Sequence, residues 1–383
     1  MTLLIPPTPA SPPPTDGERP GFDPDARGGD DWPPRALEQE PMRPRQLTGK
    51  DRMELLLCAG SALGASWVLC QVMDWQDPLT FGIWALVWFL TTTYLMARDR
   101  TSKVVALDRL MTTLIWTTGA LAVAVLAWMI IFVFIKGVGG LSWSFFTEDM
   151  AEVGPLDPGG GAYHAIVGTI QQMLIATVIS VPIAILTAVY LHEIKGRLAV
   201  PVRFVVDAMS GLPSIVAGLI VFTIWVNSGH GFSGASAGVA LSIMMIPIVT
   251  RTSEEILRTI DDGLRESALA LGAPQWRSVM QVVLPTARAG LITASILGIA
   301  RAVGETAPVL LTAFGSSVTN YNPFNGPQAD LPLFIWGLLR EPNQAQIDRA
   351  WTGALVLIIM VLVLFVTARV VGERGARKRG AAR

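Results

Sequence analysis

Two charged residues sit in the middle of an apolar run at 286–314: Arg301 and Glu305. An ionised arginine at the centre of a bilayer span costs roughly 2.5–3.5 kcal/mol on insertion scales, so its presence calls for a reason. Read as one continuous helix, the run places Arg301 near its middle and Glu305 one turn later. The i,i+4 spacing puts both on one face, where they can pair. A guanidinium also offers a planar fork of donors that fits a tetrahedral oxyanion. On that reading Glu305 holds Arg301 while no anion is present. The competing reading is a structural ion pair that joins helices or subunits.

A second stretch, residues 251–285, has a different chemistry. A charged, helix-prone segment runs from Arg251 to Leu271, with Glu254, Glu255, Asp261 and Asp262 keeping it soluble. Gly272 is suited to the left-handed conformation that ends a helix, and Pro274 to the first turn of the next. A short second helix is expected from Ala273-Pro274 to Leu284-Pro285. The product is a helical elbow that projects a knuckle of Ala268, Leu269, Ala270 and Leu271. Such a knuckle fits a groove on a partner; packing against its own bundle is the equally simple reading.

The elements that must hold these two stretches are helices in lipid. Of 383 residues, 51% are hydrophobic and 15% charged, against about 25% charged in ordinary soluble domains. Eight apolar runs are visible, at 54–73, 79–97, 111–135, 165–191, 203–226, 234–251, 286–314 and 350–370. A spanning helix needs about 20 residues, so the pattern predicts an all-α polytopic membrane protein. Lys and Arg gather on one side of an eight-span arrangement: Arg98, Arg100 and Lys103, then Lys195, Arg197 and Arg203, then Arg251 to Arg288, then Arg374 to Arg379. Lys136, Arg340 and Arg349 fall on the other. The asymmetry places both termini and residues 251–285 in the cytoplasm.

Residues 1–50 are rich in Pro, Gly and charge without hydrophobic period, which predicts a disordered tail. The net charge of −1 gives no basic field for nucleic acid. Cys58 and Cys70, about 18 Å apart on one helix, are too distant for a disulfide and read as buried fillers. Three scattered histidines give no metal cluster. His164, His192 and His230 sit at predicted span ends, where a solvated side chain is expected. Thr169, Gln171 and Gln172 read as interhelical hydrogen-bond formers. Within 203–226, Ser210-Gly211-Leu212-Pro213-Ser214 marks a break, because Pro213 lacks an N–H. Broken helices at membrane depth are tolerated where they line a cavity; a kink that only aids packing is the other reading. The outward loops 136–164 and 315–349 mix aromatics with Gly and Pro, as an interfacial belt or a landing surface for an external protein would.

The elbow also resembles a known family. Glu266-Ser267-Ala268, three residues, Gly272, nine residues and Val282-Val283-Leu284-Pro285 are similar to the EAA loop of ABC importer permeases, E-A-A, three, G, nine, I-x-L-P. The resemblance implies a type I, MetI-like core of six helices over 105–372, with residues 51–104 as two additional spans and 373–383 as a basic tail. It implies that Glu266, Ser267, Ala268, Gly272, Leu284 and Pro285 belong to a coupling helix that fits a cleft in a separate ATP-hydrolysing subunit. The chain would then be no enzyme and would bind no cofactor, with ATP and Mg held by the partner. No phosphate-cradling GxxxxGK is present: the single Gly-Lys is Gly49-Lys50, and position 44 is proline.

Arg301-Ala302-Val303-Gly304-Glu305-Thr306-Ala307-Pro308 further resembles the R-A-x-G-E-T segment of the phosphate-specific branch. Its continuation is closer to the A subunit than to that subunit's partner. Gly211 to Val216 resembles the G-x-P-S-I-V segment of the same branch. The resemblance implies a substrate path lined by Arg301, Glu305, Thr306, Ser210 and Ser214. It also implies a second permease subunit, two ATPase subunits and an extracytoplasmic phosphate-binding protein as partners, in the bacterial inner membrane. A permease for phosphonate, sulfate or molybdate, and a passive channel or membrane scaffold, are the alternatives.

Overall fold

The computed structural model describes residues 49–380 apart from 76, 101–102, 155–156 and 158. The expected tail therefore lies outside the described residues up to residue 48. The described chain is helical throughout, with a single isolated bridge, Phe314 to Gln328. It divides into two compact units, residues 1–119 and 120–383.

In the first unit α1 (Gly49–Val72) and α2 (Pro78–Arg100) form a hairpin. Cys58 donates to the Met96 sulfur at 3.6 Å, and Trp75 stacks on Trp84. Both cysteines are free and buried, as expected. Helix α3 (Lys103–Gly137) carries the chain into the second unit. Its apolar window has no buried residue, and Trp116, Val123 and Trp128 point outward. In water such a surface would be a liability; in acyl chains it is at home.

The second unit continues with α4 (Trp143–Thr147), α5 (Tyr163–Val189), α6 (Ala199–Ser210), α7 (Ser214–Val221) and α8 (Gly234–Arg258). Then come α9 (Asp262–Ala270), α10 (Gln275–Ser278), α11 (Leu284–Ala302), α12 (Ala307–Thr312), α13 (Leu331–Leu338) and α14 (Gln344–Gly380). Helices α5 and α8 are the closest pair, because small residues let the backbones approach. Ala176, Ala184, Ala237 and Ala240 are fully buried, and a Cβ on Gly238 would meet Ile175 at 2.7 Å. Around them Met173, Leu241, Met245, Val303 and Val309 form the central core.

Among the described residues, seven helices are long and apolar enough to cross a membrane, or eight spans if α6 and the segment Ser214–His230 count as one. Those two are bent by 107° at the Gly211–Pro213 break. The expected span at 203–226 is therefore not a kinked rod but two helices at a sharp angle. The missing N–H of Pro213 and the preceding glycine make the corner.

Three other expectations change. The segment Arg251–Leu271 is not one helix: α8 ends at Arg258, and Asp261 caps α9 by accepting from Gly263 N at 3.0 Å. Asp at the cap competes with continuation of the helix. The second short helix does not stop at Leu284-Pro285. A π turn over Val279–Val283, in which Leu284 N bonds the Val279 carbonyl five residues back, feeds straight into α11. Pro285 follows that π turn directly, and the turn's wider bonding accommodates its absent N–H within the continuing helix. Lastly, His164 is buried in the first turn of α5, edge-on to Phe334, instead of solvated. Helix α13 folds over it.

Thr169, Gln171 and Gln172 do form hydrogen bonds, but mostly to a loop and not between spans. Thr169 Oγ1 accepts from Leu331 N at 2.8 Å, Gln171 donates to the Tyr321 carbonyl at 3.0 Å, and Gln172 donates to Gln328 at 3.3 Å. The 313–330 loop is thereby laid across α5. Asp149 fastens the same loop to the α4 region by accepting from the amide and hydroxyl of Thr319, each at 3.0 Å.

Candidate functional site

The elbow forms at the predicted place. Gly272 has φ +82, in the left-handed region. Its N–H donates to Leu269 O at 2.9 Å, and Ala273 N donates to Ala268 O at 3.2 Å. This is the paired closure that satisfies the last carbonyls of a helix. Glu266 and Ser267 are exposed, and the Ser267 hydroxyl donates back to Gly263 O. Ala268 is turned inward, whereas Leu271 is 89% exposed and Trp276 61%. The outward apolar atoms of the knuckle are thus those of Leu269, Leu271 and Trp276. Leu284 and Pro285 lie further on, half-buried at the start of α11.

What holds the elbow was not legible in the sequence. Arg265 on α9 forms a two-pronged ion pair with Glu193, beyond the end of α5: Nε lies 3.0 and 3.1 Å from the two carboxylate oxygens, and Nη2 lies 2.8 Å from Oε1. Nη2 also donates to Leu257 O, and Nη1 donates to Ile260 O and Asp262. The side chains are 14% and 6% exposed. The Glu193 hydrogen bond, outweighing burial, raises the Arg265 pKa above its ordinary value. Gln275 adds a bond to the Glu193 carbonyl at 2.8 Å. The rivet ties both arms of the elbow to the end of α5. Its partners stand 72 residues apart, so no local spacing signals it.

At the other charged stretch the structure removes the expected pair. Helix α11 ends at Ala302, the chain turns through Val303–Thr306, and α12 starts at Ala307. With the helix interrupted, i,i+4 no longer places Glu305 above Arg301. Among the described residues neither side chain has an ion pair or hydrogen bond. Arg301 is exposed; Glu305 and Thr306 are half-buried. Arg301 lies in the last turn of its helix, where the carbonyl ends favour a cation.

The two breaks are brought together through the helices that follow them. A Cβ on Gly218 of α7 would lie 2.7 Å from Pro308 Cα of α12, so these two short helices touch backbone to backbone. Ser214 opens α7 and is half-buried; exposed Ser210 closes α6 and donates to Val206 O at 2.9 Å. The five proposed path residues therefore flank two interruptions of adjoining broken helices.

The profile described as "Binding-protein-dependent transport system inner membrane component" matches residues 180–376. The chain belongs to this family of multi-pass inner-membrane transport proteins. It is 39% identical over 271 residues to the "Phosphate transport system permease protein PstA 1" of Mycobacterium tuberculosis (strain ATCC 25618 / H37Rv), covering 70% of this chain and 88% of that protein. It is 36% identical to PstA of Pasteurella multocida (strain Pm70), covering 69% and 93%. A solved MetNI methionine ABC transporter chain aligns over 56% of this chain and 94% of its own length, with 20% identity and a TM-score of 0.44.

Proposed function

We propose that this chain is the permease subunit of an ATP-driven importer of inorganic phosphate. It contributes one half of the translocation path and couples to an ATPase through the elbow. The relatives at 36–39% identity are phosphate transport permeases. The observation that carries the coupling is mechanical. One continuous helix, Gln275–Ala302, has the exposed knuckle at one end and the exposed Arg301 at the other. At 1.5 Å per residue the two are roughly 39 Å apart, more than a hydrocarbon core of about 30 Å. A displacement of the knuckle is delivered to the arginine by a rigid rod.

In this reading both termini and the elbow face the cytoplasm. ATP and Mg are held by two partner ATPase subunits, one of which receives Leu269, Leu271 and Trp276. This subunit makes and breaks no substrate bond and holds no cofactor of its own. A second permease closes the path opposite Arg301, and a phosphate-binding protein docks on the far side. Arg301 supplies charge-assisted hydrogen bonds to the passing oxyanion. Thr306, Ser210 and Ser214 supply hydroxyl groups, and Glu305 repels a second anion. Alternating access follows from movement of the elbow and the rod.

Radiolabelled phosphate uptake by cells carrying Arg301→Ala and Arg301→Lys tests this. Uptake falls to background in the alanine variant while the subunits still co-purify; the lysine variant keeps charge without the fork and is intermediate. Wild-type uptake by Arg301→Ala refutes the assignment.

A further inference from the structure

A cleft of about 480 Å³ opens at the elbow end of the second unit, lined by Leu191, His192, Lys195, Arg203, Glu254 and Arg258. It belongs neither to the elbow nor to the broken helices. Its charges are unbalanced. Glu254 is buried, and one of its oxygens takes both Arg203, at 2.5 Å, and Arg258, at 3.2 Å. Among the described residues, each guanidinium spends one nitrogen on it and keeps the rest of its fork free. Lys195 has no ion pair or side-chain hydrogen bond among the described residues, and its left-handed backbone, φ +50, ends the π turn after α5. Three cations against one carboxylate leave two positive charges in excess. His192 is turned to Glu193, at 3.2 Å.

The wall of the cleft is unusual for an amphipathic helix. Arg203 and Asp207, one turn apart on α6, both point onto α8, where Glu254 and Arg251 receive them. Val200 and Phe204, one turn apart on another face, are 79% and 72% exposed, and Leu198 beside them is exposed too. A helix that spends its charges on its own bundle and turns its apolar stripe outward is built for an acyl environment. Cations in a cleft beside that stripe, at the end of the spans, suit a headgroup at the membrane surface.

We propose that the Lys195–Arg203–Arg258 cleft binds the phosphate oxyanion of an anionic phospholipid headgroup, with Val200 and Phe204 against its acyl chains. The proposal rests on the functional reading only in assigning this end to the cytoplasmic leaflet. The buried Glu254 orients the two guanidinium forks and offsets their mutual repulsion. The free donors of both forks and the Lys195 ammonium then meet the anion.

The test is native mass spectrometry of the full-length permease, co-purified with its companion subunits and released from nanodiscs. The nanodiscs hold phosphatidylcholine with or without cardiolipin. Wild type retains cardiolipin in preference to phosphatidylcholine. Lys195→Gln and Arg258→Gln, which leave Arg203 on Glu254, each weaken retention about fivefold, the expectation for one surface cation, and together about 25-fold. Arg340→Gln, far along the chain, leaves it unchanged. Equal retention by wild type and the double variant overturns the proposal. So does a result in which inorganic phosphate alone protects the complex thermally, that protection is lost in the double variant, and cardiolipin shows no preference. The source would then be a free anion. Absence of phosphate uptake by the wild-type complex, with its lipid preference intact, would refute the transport reading and leave this site standing.

Discussion

Replacing Arg265 by alanine isolates the rivet between the elbow and α5. The substitution leaves the Glu193 carboxylate, 6% exposed, without its two-pronged partner. Removing one member of a buried pair costs about 3–5 kcal/mol. Arg265 keeps some contact with water, and the Leu257 and Ile260 carbonyls can be solvated once it is gone, so the lower end, about 3 kcal/mol, applies. That is roughly a hundredfold in the local opening equilibrium. Hydrogen exchange read on peptides covering 259–275 reports it directly, because the Gly272 and Ala273 amides are held only by the helix end that the rivet supports. Their protection falls about a hundredfold, while peptides from the α5–α8 core keep theirs. Glu193→Leu combined with Arg265→Met removes both charges and recovers most of the protection, since a matched apolar replacement leaves no orphaned charge. In the assembled transporter the alanine variant also loses the substrate-stimulated part of ATP hydrolysis. Protection within twofold of wild type in Arg265→Ala would show that the elbow is held by something other than this pair.

Gly272 has φ +82 and open space around a built Cβ, so substitution there causes strain without a clash. Gly272→Val should destabilise the elbow by about 1–2 kcal/mol, and Gly272→Asn by clearly less, because asparagine tolerates the left-handed region; exchange at Ala273 checks the order. Asp330, which caps α13 by accepting from Leu333 N at 2.9 Å, is fully buried, and that burial pushes its carboxyl up to about 7 despite the bond. The unfolded chain loses this proton near the ordinary value of 3.8, so between about pH 4 and 7 the folded state binds more protons. Stability therefore falls as pH rises through that window and levels off above it. Asp330→Asn keeps a capping oxygen and should flatten that part of a thermal-melt profile; an unchanged slope would assign it to other groups.

The amino-acid sequence by itself settled the elements whose causes are local. Long apolar runs declare helices in lipid, because no other stretch of chain can satisfy its backbone there. Gly272 declares the corner of the elbow, because a left-handed residue at a helix end is nearly always glycine. The register from Glu266 to Pro285 declared the family. Local chemistry misled where two rules met. Pro285 looked like a stop but lies in the first turn of α11, since the π turn over Val279–Val283 absorbs its missing donor. Arg301 and Glu305 looked like a pair, because spacing assumes a helix and cannot see its interruption at Val303. Everything that joins distant segments was decided by tertiary structure alone. Glu193 meets Arg265, Gly218 meets Pro308, and Arg203 meets Glu254. Such contacts depend on how helices pack, and packing is set by the shapes of whole faces rather than by any spacing along the chain.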